Sequence, residues 1–244
     1  MNRRTFVKHS ALAALVAPAM APRAASSAEA DKPVTAPLRV AVVTGGHLFD
    51  VPNFHKLFRS FPGIEADIQY MDDFVATPAP VRDQYDVVLF YHMLMHNPPP
   101  PPVQAALEHL GATEQGIVAM HHALLAYPQW SVWSEVVGIA DRKFGFHYNQ
   151  TVQVRVANVQ HPITRGLKNW EMIDETYTMA DAGEGSEILL TVDHPKSMKT
   201  IAWARQFKKS RVFCTESGHD NQTWANPNYR EVLRRGIQWC ARRS

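Results

Sequence analysis

VAVVTGGH (Val40–His47), GIVAMHH (Gly116–His122) and RVFCTESGHD (Arg211–Asp220) share one plan: an apolar, β-branched run that gives way to a short turn carrying histidine. A strand buried on both faces of a parallel sheet reads as such a continuous run, not as an alternation. In open α/β sheets the loops after the carboxyl ends of the strands converge on one crevice, where ligands bind. The reading is therefore an α/β fold. It brings together His47, His121 or His122, and His219 with Asp220 from distant parts of the chain.

Working outward, Asp86–Tyr91 (DVVLFY) is a further buried strand, and Ile64–Tyr70, Thr151–Val156 and Ile188–Val192 are others. Thr200–Ala204 and Arg211–Thr215 read as a strand pair joined by the polar turn Arg205–Ser210. Val51–Phe61 predicts a helix with Phe54, Leu57, Phe58 and Phe61 on one face, and Trp130–Ile139 another. Asn228–Arg242 predicts an amphipathic terminal helix, with Val232, Leu233, Ile237 and Cys240 inward. Pro98–Pro102 stiffens a loop, and its last member suits the first turn of a helix over Val103–Leu110.

The first residues stand apart. Arg3-Arg4-Thr5-Phe6-Val7-Lys8 precedes the apolar, alanine-rich run Ala11–Ala21, which is too short to span a bilayer as a stable anchor. Residues 1–30 are expected to be a twin-arginine export signal, removed in a mature protein that is periplasmic or secreted. A Sec signal or an uncleaved anchor is the alternative. Residues 31–37 read as a linker and residues 38–244 as the domain. The formal charge of the whole chain is +2. Taking away Arg3, Arg4, Lys8, Arg23 and Glu29 leaves −1, so the basic balance belongs to the signal. No basic stripe with interleaved aromatics appears, which argues against nucleic acid as a partner. No later apolar stretch is long enough for a membrane span. Two cysteines, Cys214 in a strand and Cys240 in the terminal helix, read as buried free thiols, with a single bridge as the alternative.

Histidine supplies a proton shuttle near neutral pH and a metal ligand. His47, His92, His96, His121, His122, His147, His161, His194 and His219 are the candidates, with Asp174, Glu175, Glu216 and Asp220 as acids. No HExxH, zinc-finger or EF-hand spacing exists, so a metal site would be assembled from separate loops. His121 and His122 should diverge, because successive side chains on an extended segment point apart. There is no GxSxG elbow, Rossmann fingerprint or P-loop. Tyr127, Trp130, Phe144, Phe146, Tyr148, Tyr177, Trp203 and Trp224 could present stacking faces to a sugar or simply pack the core.

An ordered set of short stretches resembles the trehalose-utilisation (ThuA-like) domain family, which is related in fold to class I glutamine amidotransferases. The set comprises Val43-Thr44-Gly45-Gly46-His47, Tyr85-Asp86-Val87-Val88, the MHH of Ala119–Ala123, Phe144-Gly145-Phe146-His147, His161-Pro162-Ile163-Thr164-Arg165-Gly166-Leu167, Asp174-Glu175-Thr176-Tyr177, Trp203, Arg211-Val212-Phe213, Gly218-His219-Asp220 and Arg235-Gly236-Ile237-Gln238-Trp239. The resemblance implies a flavodoxin-like, three-layer α/β/α fold with a mainly parallel sheet. It also implies that His121 stands at the elbow where amidotransferases carry their cysteine nucleophile, which makes glutamine hydrolysis an unexpected activity here. His219 falls near the position of the relatives' triad histidine.

The resulting expectation is an exported carbohydrate-processing enzyme acting on a sugar or keto-sugar by acid–base chemistry. His121, His219, Asp220 and Glu175 are the expected catalytic set, with Asp220 orienting His219. His47, His122, His147, Tyr177, Trp203 and Trp224 are expected to bind substrate. His47, His121 and His219 are the expected ligands of a divalent metal, zinc or similar, if one is bound. The alternative is a non-catalytic sugar-binding or accessory protein; a residual amidohydrolase or esterase is the third reading. The expected partner is a small carbohydrate, and a homodimer is the assembly such domains favour.

Overall fold

The structure, a computed structural model, describes residues 36–243. In chain order the elements are β1 (Leu38–Gly45), α1 (Val51–Arg59), β2 (Ile64–Tyr70), α2 (Met71–Ala76), α3 (Ala79–Arg82), β3 (Val87–His92), α4 (Pro101–His109) and β4 (Gly116–Met120). A 3₁₀ turn (His121–Leu125) follows, then α5 (Ser131–Val137), β5 (Gly145–Val156), β6 (Trp170–Thr178), β7 (Glu187–Thr191), β8 (Thr200–Phe207), β9 (Ser210–Thr215), α6 (Asn221–Ala225) and α7 (Pro227–Cys240). The segment expected to be an export signal lies outside the described residues. No helix among the described residues is long and apolar enough to cross a membrane.

The strands form one nine-stranded sheet in the order β2-β1-β3-β4-β9-β8-β7-β5-β6. From β2 to β9 all neighbours run parallel. From β9 to β6 all run antiparallel. The architecture is the expected α/β sandwich, with an antiparallel wing attached to its parallel half.

The parallel half reads as apolar runs because helices cover both its faces. Val40, Val42, Leu89, Val118 and Phe213 face one core with Phe54 and Leu57 of α1 and Leu233 and Ile237 of α7. Ala41, Val43, Phe90, Ile117 and Cys214 face the other, with Phe74 of α2, Leu107 of α4 and Trp133 of α5. Pro101 and Pro102 occupy the first turn of α4, where a missing N–H costs nothing. Cys214 and Cys240 are both free and buried.

β6 does not announce itself as a strand. Its sequence WEMIDETYT puts three carboxylates in a sheet, against ordinary β preference. It is nonetheless a strand because Asp174 and Glu175 find partners across the sheet end, described below.

Candidate active site

The site lies at the carboxyl ends of β4 and β9, where the parallel half meets the wing. β4 ends at Met120 and the chain turns sharply at His121, whose φ of 54° lies in the left-handed region. A non-glycine residue there is strained by about 1–3 kcal/mol and is held only where surrounding contacts fix it. Burial and hydrogen bonding supply those contacts. His121 is fully buried, and its Nδ1 lies 2.7 Å from the backbone oxygen of Glu216. A carbonyl only accepts, so Nδ1 carries the proton and Nε2 presents its lone pair.

Three groups converge on that nitrogen. Glu175 Oε2 lies 3.0 Å away, His219 Nδ1 3.2 Å away, and the Tyr177 hydroxyl donates to it over 2.8 Å. His219 Nδ1 is also 3.0 Å from Glu175 Oε2. Glu175 and Tyr177 reach the same point because residues two apart on β6 share a face. His121, Glu175 and His219 form the one group among the described residues with ligand atoms close enough to hold a metal ion.

The loop after β9 is fastened by Asp174. Its carboxylate accepts from the backbone N–H of Gly218 at 2.8 Å and of His219 at 3.1 Å. Gly218 has φ 129°, and a Cβ there would collide with the Tyr229 hydroxyl and Met120, so only glycine lets the loop close. Gly46 is required in the same way: at φ 73° its Cβ would run into the Met93 carbonyl.

Burial works against ionisation of Glu175, but hydrogen bonds and charge from the imidazoles of His121 and His219 in their protonated forms outweigh it and hold its carboxyl down to about 2. Burial likewise disfavours charged His219, and Glu175, Asp174 and Asp220 together reverse this, so its pKa is raised. Each of the two thus favours the charged form of the other. Burial of Tyr177, reinforced by the charge of Glu175, pushes its hydroxyl well up and keeps it a proton donor.

Glu216 behaves differently. It is 1% exposed, and burial lifts its carboxyl well above the ordinary 4.5. It accepts from the Tyr177 N–H at 2.7 Å. A carboxyl raised in the folded state gives stability that is complete below its ordinary pKa and is lost as pH rises through the folded value. Glu216→Gln keeps the acceptor and removes the titration. We expect it to be more stable than wild type at pH 8 by a margin that shrinks towards pH 5. Thermal denaturation at the two pH values checks this; a difference independent of pH would refute it.

A cleft of about 190 Å³ opens beside these groups, lined by His47, Met93, Leu125, Phe144, Phe146, Tyr148, Glu175 and Tyr177. His219 reaches towards solvent with 19% of its side chain exposed. This is the part of the buried cluster that a solute can meet.

Several expected site residues sit elsewhere. Asp220 does not orient His219: its carboxylate caps α6, accepting from Gln222 N–H at 2.8 Å, and Glu175 and Asp174 take the expected task. His47 lines the cleft, but its Nδ1 lies 2.7 Å from the Leu48 carbonyl and its ring centroid 6.2 Å from that of His219, so Glu175 replaces it in the close triangle. His122 diverges from His121 and is sandwiched between Tyr91 and His47, at 4.2 and 4.5 Å, too buried to meet substrate. His147 falls opposite Thr176, whereas Phe146 falls opposite Tyr177; strand alternation therefore turns His147 off the cleft face. Trp203 is fully buried and donates to the Val137 carbonyl at 2.9 Å, in the core. Trp224 is 3% exposed and packs on Phe54 and Tyr91, donating to the Gly218 carbonyl at 2.9 Å. Neither indole offers a face to a sugar. Tyr177, expected as a substrate binder, is part of the central cluster. The supporting tasks of Asp174 and Glu216 escape a reading of the sequence, although the adjacent acids Asp174 and Glu175 amid a β-rich stretch are a visible signal.

Known structures resemble this fold. A protein of Parabacteroides merdae described as ThuA-like superposes with TM-score 0.67 at 18% identity, over 84% of this chain and 90% of that one. A ThuA-like protein of Bacteroides uniformis gives 0.64 at 20% identity, over 84% and 92%. A cytoplasmic protein of Salmonella typhimurium gives 0.61 at 9% identity, over 83% and 99%. At these identities the likeness speaks for the fold, which is the class I glutamine amidotransferase-like one. No curated protein matches the chain in sequence. The sequence profile of the trehalose-utilisation (ThuA) family matches residues 52–240, and the chain belongs to that family.

Proposed function

We propose that this protein is a carbohydrate-processing enzyme, acting on a sugar or keto-sugar by acid–base chemistry at His121, Glu175 and His219, and that the same three side chains hold a divalent cation such as zinc. The observation that carries the proposal is the triangle of Glu175 Oε2, His121 Nε2 and His219 Nδ1, with sides of 3.0 to 3.2 Å, beside an aromatic-walled cleft.

The donor set fits a cation. His121 already spends its Nδ1 proton on a backbone carbonyl, which is how a metal-binding histidine is oriented. Its Nε2 lone pair and an ionised carboxylate then face each other, an arrangement that needs positive charge between them, whether a proton or a metal. Two imidazoles and one carboxylate suit zinc and similar ions. Bound there, such a cation would polarise a sugar carbonyl or hydroxyl oxygen.

The chain's own groups supply the rest. Glu175, held ionised, is the base. His219, at the exposed edge of the cluster and with its pKa raised, is the acid when no cation is held; as a ligand its Nδ1 gives up that proton. The Tyr177 hydroxyl is a further donor for a developing oxyanion. A ketone acidifies the neighbouring C–H, so base and acid on opposite sides of a keto-sugar suffice for lyase or hydrolase chemistry. No thiolate is available: the elbow carries histidine, and Cys214 and Cys240 are buried in the core with their thiols pushed up by burial. Glutamine amidotransfer is accordingly not proposed. The twin-arginine segment supports a periplasmic or secreted location for the mature protein.

Mature protein purified without chelator or polyhistidine tag is expected to hold close to one equivalent of divalent metal by elemental analysis, absent from His121→Ala. It is also expected to turn over a member of a sugar and keto-sugar panel, with a loss of about a hundredfold or more in that variant. Sugar binding with no turnover in any metal-loaded form would favour the binding-protein alternative. Turnover unchanged by His121→Ala would sink the site assignment.

A further inference from the structure

Arg142 is a charge that the fold has buried without a counter-charge. Its side chain is 2% exposed, and no carboxylate among the described residues pairs with it. Burial lowers its pKa to about 10, which leaves it charged at neutral pH. A buried cation is costly unless polar groups surround it.

Here those groups are oxygens from separate segments. Nη2 donates to the carbonyl of Ala126 at 3.1 Å and to that of Tyr127. Nη1 donates to the Ser134 hydroxyl at 2.6 Å and to the Ile139 carbonyl at 3.4 Å. The planar fork of a guanidinium spans acceptors in this way, whereas a lysine ammonium is a single point.

The acceptors give the charge a task. Ala126 and Tyr127 are the exit of the 3₁₀ elbow that begins at His121. Both ends of the elbow are left-handed, with φ 54° at His121 and 48° at Tyr127. Such a turn keeps its shape only where its surroundings over-determine it. The entrance is fixed by His121 Nδ1, which donates to the Glu216 carbonyl. The exit is fixed at Tyr127. Its N–H donates to the Leu94 carbonyl at 2.9 Å, and its carbonyl accepts from Arg142 and from the Trp130 N–H at 2.9 Å. Three walls of the cleft hang on this anchor: Leu125 just before Ala126, Met93 just before Leu94, and Phe144 two residues after Arg142.

We infer, resting on the site assignment above, that Arg142 is a positioning residue: its guanidinium fixes the exit of the elbow and thereby holds His121 in the left-handed conformation that aims Nε2 at Glu175 and His219.

The test reads the His121 Nδ1 proton by NMR in the protein as purified, with the signal identified by its loss in His121→Ala. Wild type is expected to exchange this proton slowly with solvent. Arg142→Met should speed the exchange by about tenfold or more, because the elbow opens locally once its exit is released. Arg142→Lys, which restores the charge without the fork, should fall between the two, and it carries the test if Arg142→Met does not fold. Phe58→Leu trims the opposite core, away from the elbow. It should lower the melting temperature and leave the exchange near the wild-type rate. Fast exchange in wild type, exchange unaltered in the Arg142 variants, or exchange as fast in Phe58→Leu as in Arg142→Met overturns this inference. The last of these outcomes would reduce Arg142 to a contributor to global stability. Neither turnover nor metal content enters the readout, so a failure of the proposed function leaves this result distinct.

Discussion

Glu175→Gln is expected to lower turnover by about 10²–10⁴-fold, the usual contribution of a positioned acid–base group, in a protein that still folds. Glutamine has the same shape but cannot accept a proton or balance the charge of His219. Metal content should fall with it, because a carboxylate ligand is replaced by a far weaker amide oxygen. The stability of the two proteins should also diverge with pH in a defined direction. Glu175 is held down to about 2 in the folded state against an ordinary 4.5. Its contribution is therefore present above about pH 4.5 and disappears as pH falls towards 2. Wild type should exceed the variant in denaturation midpoint at neutral pH, and the two should converge in acid. Glu175→Asp, which retains charge but withdraws it by one methylene, should recover part of the metal binding. Full turnover in Glu175→Gln would remove the base from the proposal, and a midpoint difference unchanged in acid would remove the charge argument.

Trp203→Ala is expected to cost about 3–5 kcal/mol of stability, the range for emptying a large buried aromatic site. Trp203 sits on β8 within the core that contains Trp133, Val136 and Val137, and its indole N–H is spent on the Val137 carbonyl. For a domain of this size the loss corresponds to about 2–4 °C in Tm per kcal/mol. Trp203→Phe should lose the hydrogen bond and some volume, a smaller penalty, and should keep its affinity for sugars. If Trp203→Phe instead weakened sugar binding while leaving Tm untouched, Trp203 would be a stacking residue after all and the core placement would be in error. The contrast matters because tryptophans near histidine-bearing loops are easily read as sugar platforms.

How far the sequence is legible follows from where each signal lives. The parallel half is legible because helices on both faces leave only apolar residues in its strands, so VAVVT, DVVLFY and GIVAM could be little else. The meeting of His121 and His219 is legible for the same reason: both follow strands of that half. The wing is harder. β6 carries charges at positions that look solvated, and only the loop from β9, 44 positions further along the chain, shows that Asp174 and Glu175 are satisfied. A slip between His147 and Gln150 in the pairing of β5 with β6 turns Tyr148 onto His219 and leaves His147 on the other face, a distinction of one residue that alternation cannot assign before the register is known. Trp203 and Trp224 illustrate the opposite problem. A side chain's neighbourhood in sequence does not reveal that its ring points into the core.

The partnership of His121 with the Glu216 carbonyl joins residues separated by 95 positions, and β4 waits for β9 across a similar interval. During synthesis the elbow strand must therefore leave one edge open until nearly the whole chain has been made. Contacts this distant in sequence slow folding and expose unpaired strands meanwhile. A chain stopped before β9 would retain β1 to β4 as a half-finished sheet with a bare edge, prone to self-association rather than to partial activity. Completion of the reactive centre and closure of the sheet are thus the same late event, and a nascent chain cannot acquire the one without the other.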